Sequence, residues 1–561
     1  MIVSADALSD LSSLNTDLCI VGAGPAGISL ALRVAESGAE IMLLESGGRR
    51  PDAGSQALCI GEVAEPALHP PANMFRRRSL SGSSTIWGGR CVPLDPIDFA
   101  VRPWLDMLSG WPISHDTLVP YWRAAHRRAQ LGCYDYAAAT AVPGGMRPMF
   151  ENFQPGAVRT DSIERFSPPT DFGKSYEAEL SRHRRVRVML HATCTEIVFH
   201  PNLRTVSHLV IATRAGTAMQ VHARQFVLAA GGLETPRFLL ASRRQMPSGA
   251  GNAHGLVGRY YMCHLAGLFG RFIPAAGAIP FHGYERTSDG IYCRRRLSIA
   301  PWAQQSYAIG NAIARLHHLP VWDATHRRGA LSAIQLCRFL LPHEYRRQPN
   351  ATGWMPHVRN IARDPLGTAN FAMLYLRRRL MAARKLPSIA VAQRSGIYTL
   401  EIHAEQLPNP DSRVSLALDS DRFGVPRLHI DWRYGPQDMR TIDVAAGLIA
   451  DTLAAGGHGI LACESDVDAF IRRDGAYGGH HLGTARMSDS PRTGVVDSDC
   501  RVHGTENLYI AGGAMFPLSS QANPTLTILA LALRLADHLQ TVISRPAAHI
   551  RHASFLSERP A

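Results

Sequence analysis

The sequence predicts an α/β protein in which a Rossmann-type dinucleotide-binding domain is interleaved with an α+β substrate domain on a mainly antiparallel sheet. Three observations support this. Residues 17–48 read as strand, glycine turn, helix and strand, and residues 226–240 as a second strand, glycine turn and helix. From about 266 to 477, strand-like runs alternate with helical stretches. In the first unit an apolar run at 18–21 breaks at Gly22, Gly24 and Gly27. Ile28, Leu30, Ala31, Leu32 and Val34 then recur on one helical face. Gly38 closes that helix, and a second apolar run at 41–44 ends at Glu45. This is the Gly-x-Gly-x-x-Gly turn of a βαβ unit. Gly22 gives the tight turn, Gly24 lets the backbone approach a pyrophosphate, and Gly27 lets helix and strand pack closely. The helix N-terminus offers free N–H groups to phosphates. Glu45, eighteen residues after Gly27, stands where a carboxylate accepts hydrogen bonds from a ribose.

The rest of the composition sets bounds. Of 561 residues, 46% are hydrophobic and 19% charged, which is ordinary globular composition with ample core. Lys and Arg exceed Asp and Glu by 59 − 46 = 13. The excess is scattered Arg with no DNA- or RNA-binding motif, so a solvated surface is expected and no nucleic-acid partner. Ten cysteines lie far apart without metal-ligand spacing, so reduced thiols, no metal and a cytoplasmic location are expected. The N-terminal residues lack the charged and apolar regions of a signal peptide. No run of about eighteen apolar residues marks a bilayer span.

Taken in order, residues 49–75 are rich in Pro, Ala and Gly and read as a surface excursion. They lead into a loop at 76–91 dense in Gly, Ser and Thr, with Trp87 as an aromatic anchor. Such a loop suits a flat polar ligand. Residues 80–89, Leu-Ser-Gly-Ser-Ser-Thr-Ile-Trp-Gly-Gly, resemble the loop that lines the isoalloxazine ring in the glucose–methanol–choline (GMC) oxidoreductases, closest to their pyranose-oxidase-like branch. The resemblance implies FAD, with Ser83, Ser84, Thr85, Trp87 and Gly88 around it. That branch carries Ser-Thr-His-Trp with a flavin-linked histidine; this chain has Ile86, which implies non-covalent FAD. Ser114 is an expected N-cap for a helix running to about 130. Residues 186–199 read as strand, and within them 191–196 resemble the family stretch beside the adenine, contributing Cys194 through its backbone. Residues 226–240 resemble the second family signature, with Ala230 and Gly231 at the turn and Pro236 early in the helix. Residues 405–414 resemble a family run between two strands and, by themselves, suggest a hairpin. Residues 371–385 read as a basic helix with apolar positions. It either caps the site with a solvated Arg face or makes peripheral contact with an anionic membrane or a partner.

The chemistry is expected near the C-terminus. His480 stands three residues before Gly483-Thr484, matching the family's His-x-x-Gly-Thr, whose histidine is the base. A neutral imidazole suits removal of a hydroxyl proton as hydride leaves carbon for the flavin. Asn523, 43 residues on, matches the family's second catalytic position. Gly512 and Gly513 resemble the segment that returns to FAD, with the Pro524-Thr525 backbone near the pyrimidine edge. Residues 528–537 form a helix apolar nearly all round, hence buried. In a strand His480 and His481 face opposite ways, so one of them meets the ring, and His480 is assigned.

These features imply an FAD-binding domain at 15–95, 180–265 and 478–545, a substrate domain at 96–179 and 266–477, and a tail at 546–561. The expected function is FAD-dependent oxidation of an alcohol, first a sugar or glycoside hydroxyl, to a carbonyl. Oxygen, a quinone or a protein would take the electrons. The alternative is a dehydrogenase subunit acting on a lipid-like or other non-sugar alcohol and feeding a quinone or partner protein; a flavin-containing regulatory protein is a third reading.

Overall fold

In the computed structural model of the protein, residues 1–8, 13–105, 108–338, 353–382, 384–388 and 396–544 are described. The N-terminal unit forms as its pattern dictates. Strands Ser13–Val21 and Ile41–Leu44 pair in parallel, Leu18 opposite Ile41 and Val21 opposite Leu44, and helix Pro25–Ala35 connects them. They sit inside a sheet ordered Ile2–Ser4, Val186–Leu190, Ile41–Leu44, Ser13–Val21, Ala218–Leu228, Val206–Ala212, Thr193–Phe199. The long Ala218–Leu228 strand also takes Leu508–Ile510 in parallel, with Leu228 opposite Ile510. The chain therefore returns to this sheet from its far end.

Helix Thr525–Ser544 packs against Pro25–Ala35 and His115–Arg128, and Trp122 Nε1 donates to Thr527 Oγ1 at 3.2 Å. Among the described residues it alone is long and apolar enough to cross a membrane, yet most of it is buried inside the fold. It is a core helix.

The second sheet runs Gly459–Cys463, Met262–Pro274, Tyr398–Glu405, Ala312–His318, Leu297–Ile299, Val158–Arg159. Every neighbouring pair in it is antiparallel. Tyr477–Leu482 pairs with Met262–Pro274 at the edge of this sheet, Met262 opposite Leu482 and His264 opposite Tyr477. Two further strands depart from the linear reading. Glu62–Val63, within the surface excursion, pairs with Pro426–Asp431, and Arg90–Cys91 pairs with Ile163–Phe166.

Three local expectations are corrected. Residues 405–414 make no hairpin: Tyr398–Glu405 lies in the second sheet, while Arg413–Ser420 pairs with Pro426–Asp431 in a separate one. Residues 186–199 are two strands, broken where His191 adopts φ 57°. Pro236 lies inside helix Gly231–Ala241 rather than in its first turn, so the carbonyl of Gly232 loses its helical donor. Thr484 Oγ1 supplies the replacement, donating to Gly232 O at 2.6 Å. Ser114 caps His115–Arg128 by accepting from Thr117 N. The expected tail at 546–561 lies outside the described residues.

Candidate active site

One cavity of about 1380 Å³ runs between the two sheets, larger than a pocket for a drug-sized ligand. Its inner end is built by the N-terminal turn. Gly22 has φ +108°, and a Cβ there would meet Ala229 O at 2.6 Å. A Cβ on Gly27 would lie 2.0 Å from Gly22 O, so this glycine sets helix–strand packing and lies off the cavity wall. Gly24 lines the cavity with nothing within 4 Å of its Cβ position. No side chain caps the helix that starts at Pro25, which leaves its N–H groups and positive dipole end for an anion. The buried Glu45 carboxylate accepts from Ala23 N at 3.1 Å and Gly47 N at 2.8 Å and lines the cavity beside them. Cys194, Ala230, Gly231, Gly512 and Gly513 line the same cavity. An open glycine cradle, an uncapped helix start and a fixed carboxylate fit the pyrophosphate and ribose of FAD.

No local pattern in the sequence predicts the arginine cluster of this cavity. Arg76 and Arg78 line the cavity and converge on Glu234, each at 2.5 Å, with Arg237 on its other side at 2.9 Å. Three guanidinium groups hold the Glu234 carboxyl well below the usual carboxylate range despite its burial. Asp421 is the further acid on Arg237, so the cluster keeps positive potential toward the glycine turn.

The 80–89 loop turns its hydroxyls into its own structure. Ser84 Oγ donates to Ser81 O at 2.8 Å and accepts from Phe172 N, and Ser83 Oγ donates to Phe75 O. Thr85 is exposed, bonds Gly82 O, and lies off the cavity wall. Ser83, Ser84, Ile86, Trp87 and Gly88 line the cavity, and Trp87 is pinned by donation to Thr170 O at 3.0 Å.

Farther along the cavity, Asn523 Nδ2 lies 3.2 Å from His480 Nε2, and Pro524 and Thr525 continue the wall into the core helix. The loop that carries Asn523 is held by the substrate domain. Ser519 Oγ bonds the backbone of Gln406, Ser520 Oγ donates to Asp98 at 2.6 Å, and Gln521 bridges Asp95 and Arg296.

His264, on strand Met262–Pro274 and fully buried, contacts His480 Nδ1 through its own Nδ1 at 2.6 Å. Its Nε2 lies 3.2 Å from Ser519 O. A carbonyl only accepts, so His264 carries its proton on Nε2. Burial lowers its pKa to about 4, leaving Nδ1 a bare acceptor at neutral pH. His480 must then carry its proton on Nδ1 and present a bare Nε2 lone pair toward Asn523. Burial, with His264 and Arg90 nearby, holds His480 well below the ordinary imidazole range, so it stays neutral.

His481 diverges from its neighbour. Its Nδ1 lies 2.6 Å from Tyr261 Oη, which lies 2.8 Å from His69 Nε2. The donor atoms of His264, His403 and His480 fall within 4.8 Å of one another, as do those of His69, Cys263 and His481. Such spacing suits a metal, but hydrogen bonds among the rings and Tyr261 already join these groups. His264 lies in a family-like stretch at 260–264 that reads from sequence as holding only a structural histidine, and the structure instead joins it to His480. It sits 216 residues from His480, and only the pairing of two strands reveals it.

The chain is similar to several known proteins. Residues 408–532 match the family model described as GMC oxidoreductase. The chain is 25% identical to paromamine 6'-oxidase of Streptomyces fradiae over 95% of its own length and 93% of that protein. It is 32% identical to C-glycoside 3-oxidase of Microbacterium trichothecenolyticum over 24% of its length and 25% of that protein. Among solved structures, pyridoxine 4-oxidase from Mesorbium loti superposes with a TM-score of 0.52 at 18% identity, covering 94% of this chain and 99% of that one. Formate oxidase does so at 0.52 and 17%, covering 95% and 99%. With an open glycine turn at one end of its cavity and a histidine–asparagine pair farther along, the chain is similar to the GMC oxidoreductases, whose family model it matches over residues 408–532.

Proposed function

We propose that the protein oxidises a hydroxyl of a sugar or glycoside, with His480 Nε2 as the base that removes the hydroxyl proton. The observation that carries this is the bare Nε2 of a neutral, buried His480 at 3.2 Å from the Asn523 amide. A substrate hydroxyl that replaces this direct contact gives its proton to Nε2 and accepts from Asn523 Nδ2, which steadies the oxygen as negative charge grows on it. The dipole of the helix starting at Thr525 adds positive potential on the same side. Bound FAD supplies the hydride acceptor. His264 holds the base in its working tautomer, and Ser519 holds His264.

The outer cavity favours a hydrophilic substrate. Glu164, Arg294, Arg315, His317, Thr399 and Glu401 line it, with Glu401 paired to both Arg315 and His317. A wall of fixed charges and hydroxyls matches a polyol better than a lipid-like alcohol. Relatives named for paromamine and C-glycosides point the same way. The FAD is held without a covalent link, since the loop position at Ile86 carries no nucleophile. Anaerobic bleaching of the purified flavoprotein against sugars, glycosides, sterols and aryl alcohols tests the substrate class. Bleaching by sterols or aryl alcohols alone would refute it. Acid precipitation should release the yellow colour into the supernatant; colour kept in the pellet would refute non-covalent binding.

A further inference from the structure

Helix Trp354–Arg363 is followed by helix Pro365–Tyr375 and a π turn at Leu376–Met381. The inward side is anchored: Asn360 Nδ2 donates to Ala324 O and Ser332 Oγ, and His357 Nδ1 meets Ser332 Oγ at 3.0 Å. The outward side is anomalous. Pro365–Tyr375 contains no buried residue, although its sequence, Pro-Leu-Gly-Thr-Ala-Asn-Phe-Ala-Met-Leu-Tyr, is mostly apolar. Leu366 is 84% exposed and Met373 60%, joined by Trp354 at 67% and Met381 at 73%. Large apolar side chains left exposed along three consecutive elements mark a docking surface.

Charge identifies the occupant. Between residues 353 and 388 the described basic side chains are Arg359, Arg363, Arg377, Arg378, Arg379, Arg384 and Lys385, against one acid, the buried Asp364. A second copy of the chain would set the exposed Arg359, Arg363, Arg377, Arg378 and Lys385 against the same five cations. A protein partner would need a matching acidic and apolar face. Exposed Leu, Met and Trp beside Arg is the combination that inserts into the headgroup boundary of an anionic bilayer. The patch also borders the site, since Pro387 and Ser388 on one side and Pro320 and Trp322 on the other line the cavity.

We propose that the segment spanning Trp354 to Met381 docks the enzyme peripherally on an anionic lipid surface, with the cavity mouth beside the membrane plane. Each Arg at such a surface raises partitioning by about fivefold, so Arg377→Glu/Arg378→Glu should weaken binding by at least 10-fold at low salt. The probe is sedimentation of the holoprotein with vesicles of phosphatidylglycerol and phosphatidylcholine, compared with phosphatidylcholine alone. Expected is pelleting with the anionic vesicles that fades as salt is raised. It should be lost in Arg377→Glu/Arg378→Glu and in Leu366→Asp/Met373→Asp, with flavin content and melting temperature unchanged. Holoprotein that stays in the supernatant, or pelleting indifferent to lipid charge, would overturn the proposal. So would a dimer in light scattering that the same substitutions dissociate, since a second copy would then cover the patch.

Discussion

His264 does not itself line the cavity, yet its removal should slow the chemistry. Its Nδ1 accepts the Nδ1 proton of His480 at 2.6 Å in a fully buried setting. In His264→Ala that N–H has no acceptor, and an unmade buried hydrogen bond costs about 1–3 kcal/mol. The two neutral tautomers of imidazole are otherwise close in energy, so His480 can move its proton to Nε2 and turn it toward Asn523. The population with a bare Nε2 should then fall by roughly 5- to 100-fold, at about 1.4 kcal/mol per decade. Anaerobic stopped-flow reduction of the flavin reads this directly. His264→Asn places Oδ1 near the lost Nδ1 and should recover most of the rate, which packing alone would not explain. A His264→Ala enzyme that keeps its flavin and reduces it within twofold of the parent rate would refute the reasoning, as would an Asn variant no faster than Ala.

Two further predictions follow from buried groups. The folded pKa of His264 is lowered to about 4 from about 6.5 in the unfolded chain. The unfolded state therefore binds the proton first as pH falls through 6.5, and stability is lost between pH 6.5 and 4. At pH 5 this term costs about 2 kcal/mol, so melting temperature should drop more steeply from pH 6.5 to 5 in the parent than in His264→Asn; parallel curves would contradict it. Thr484→Val leaves Gly232 O without its donor and should cost about 1–2 kcal/mol in urea unfolding. Because Pro236→Ala restores a helical N–H for that carbonyl, the cost should shrink by at least half in the Pro236→Ala background.

Much of this was legible because local periodicity carries it. The strand, turn and helix at 17–48 are set by contiguous residues, and buried strands such as Tyr398–Glu405 announce themselves through apolar and β-branched runs. His480 and Asn523 were legible as a pair through their motif, and they meet in space. What stayed hidden depends on register between distant segments. The stretch Tyr-Tyr-Met-Cys-His resembles the family but leaves His264 readable as a structural histidine, and its role comes from the antiparallel approach of Tyr477–Leu482 to Met262–Pro274. Thr484 looked like part of a signature, whereas its hydroxyl repairs the break that Pro236 makes in another helix. Thr85 lies off the cavity wall because a hydroxyl in a polar loop can as readily bond its own turn as a ligand. The Glu234 cluster draws Arg76, Arg78 and Arg237 from two segments more than 150 residues apart, a distance no window of sequence spans.

Flavin reduction by substrate in His480→Ala, measured anaerobically beside the parent enzyme, tests the base assignment most directly. Loss of a positioned general base predicts a rate lower by a factor of about 10² or more with FAD content unchanged. A variant that retains its FAD and is reduced at the parent rate would contradict it.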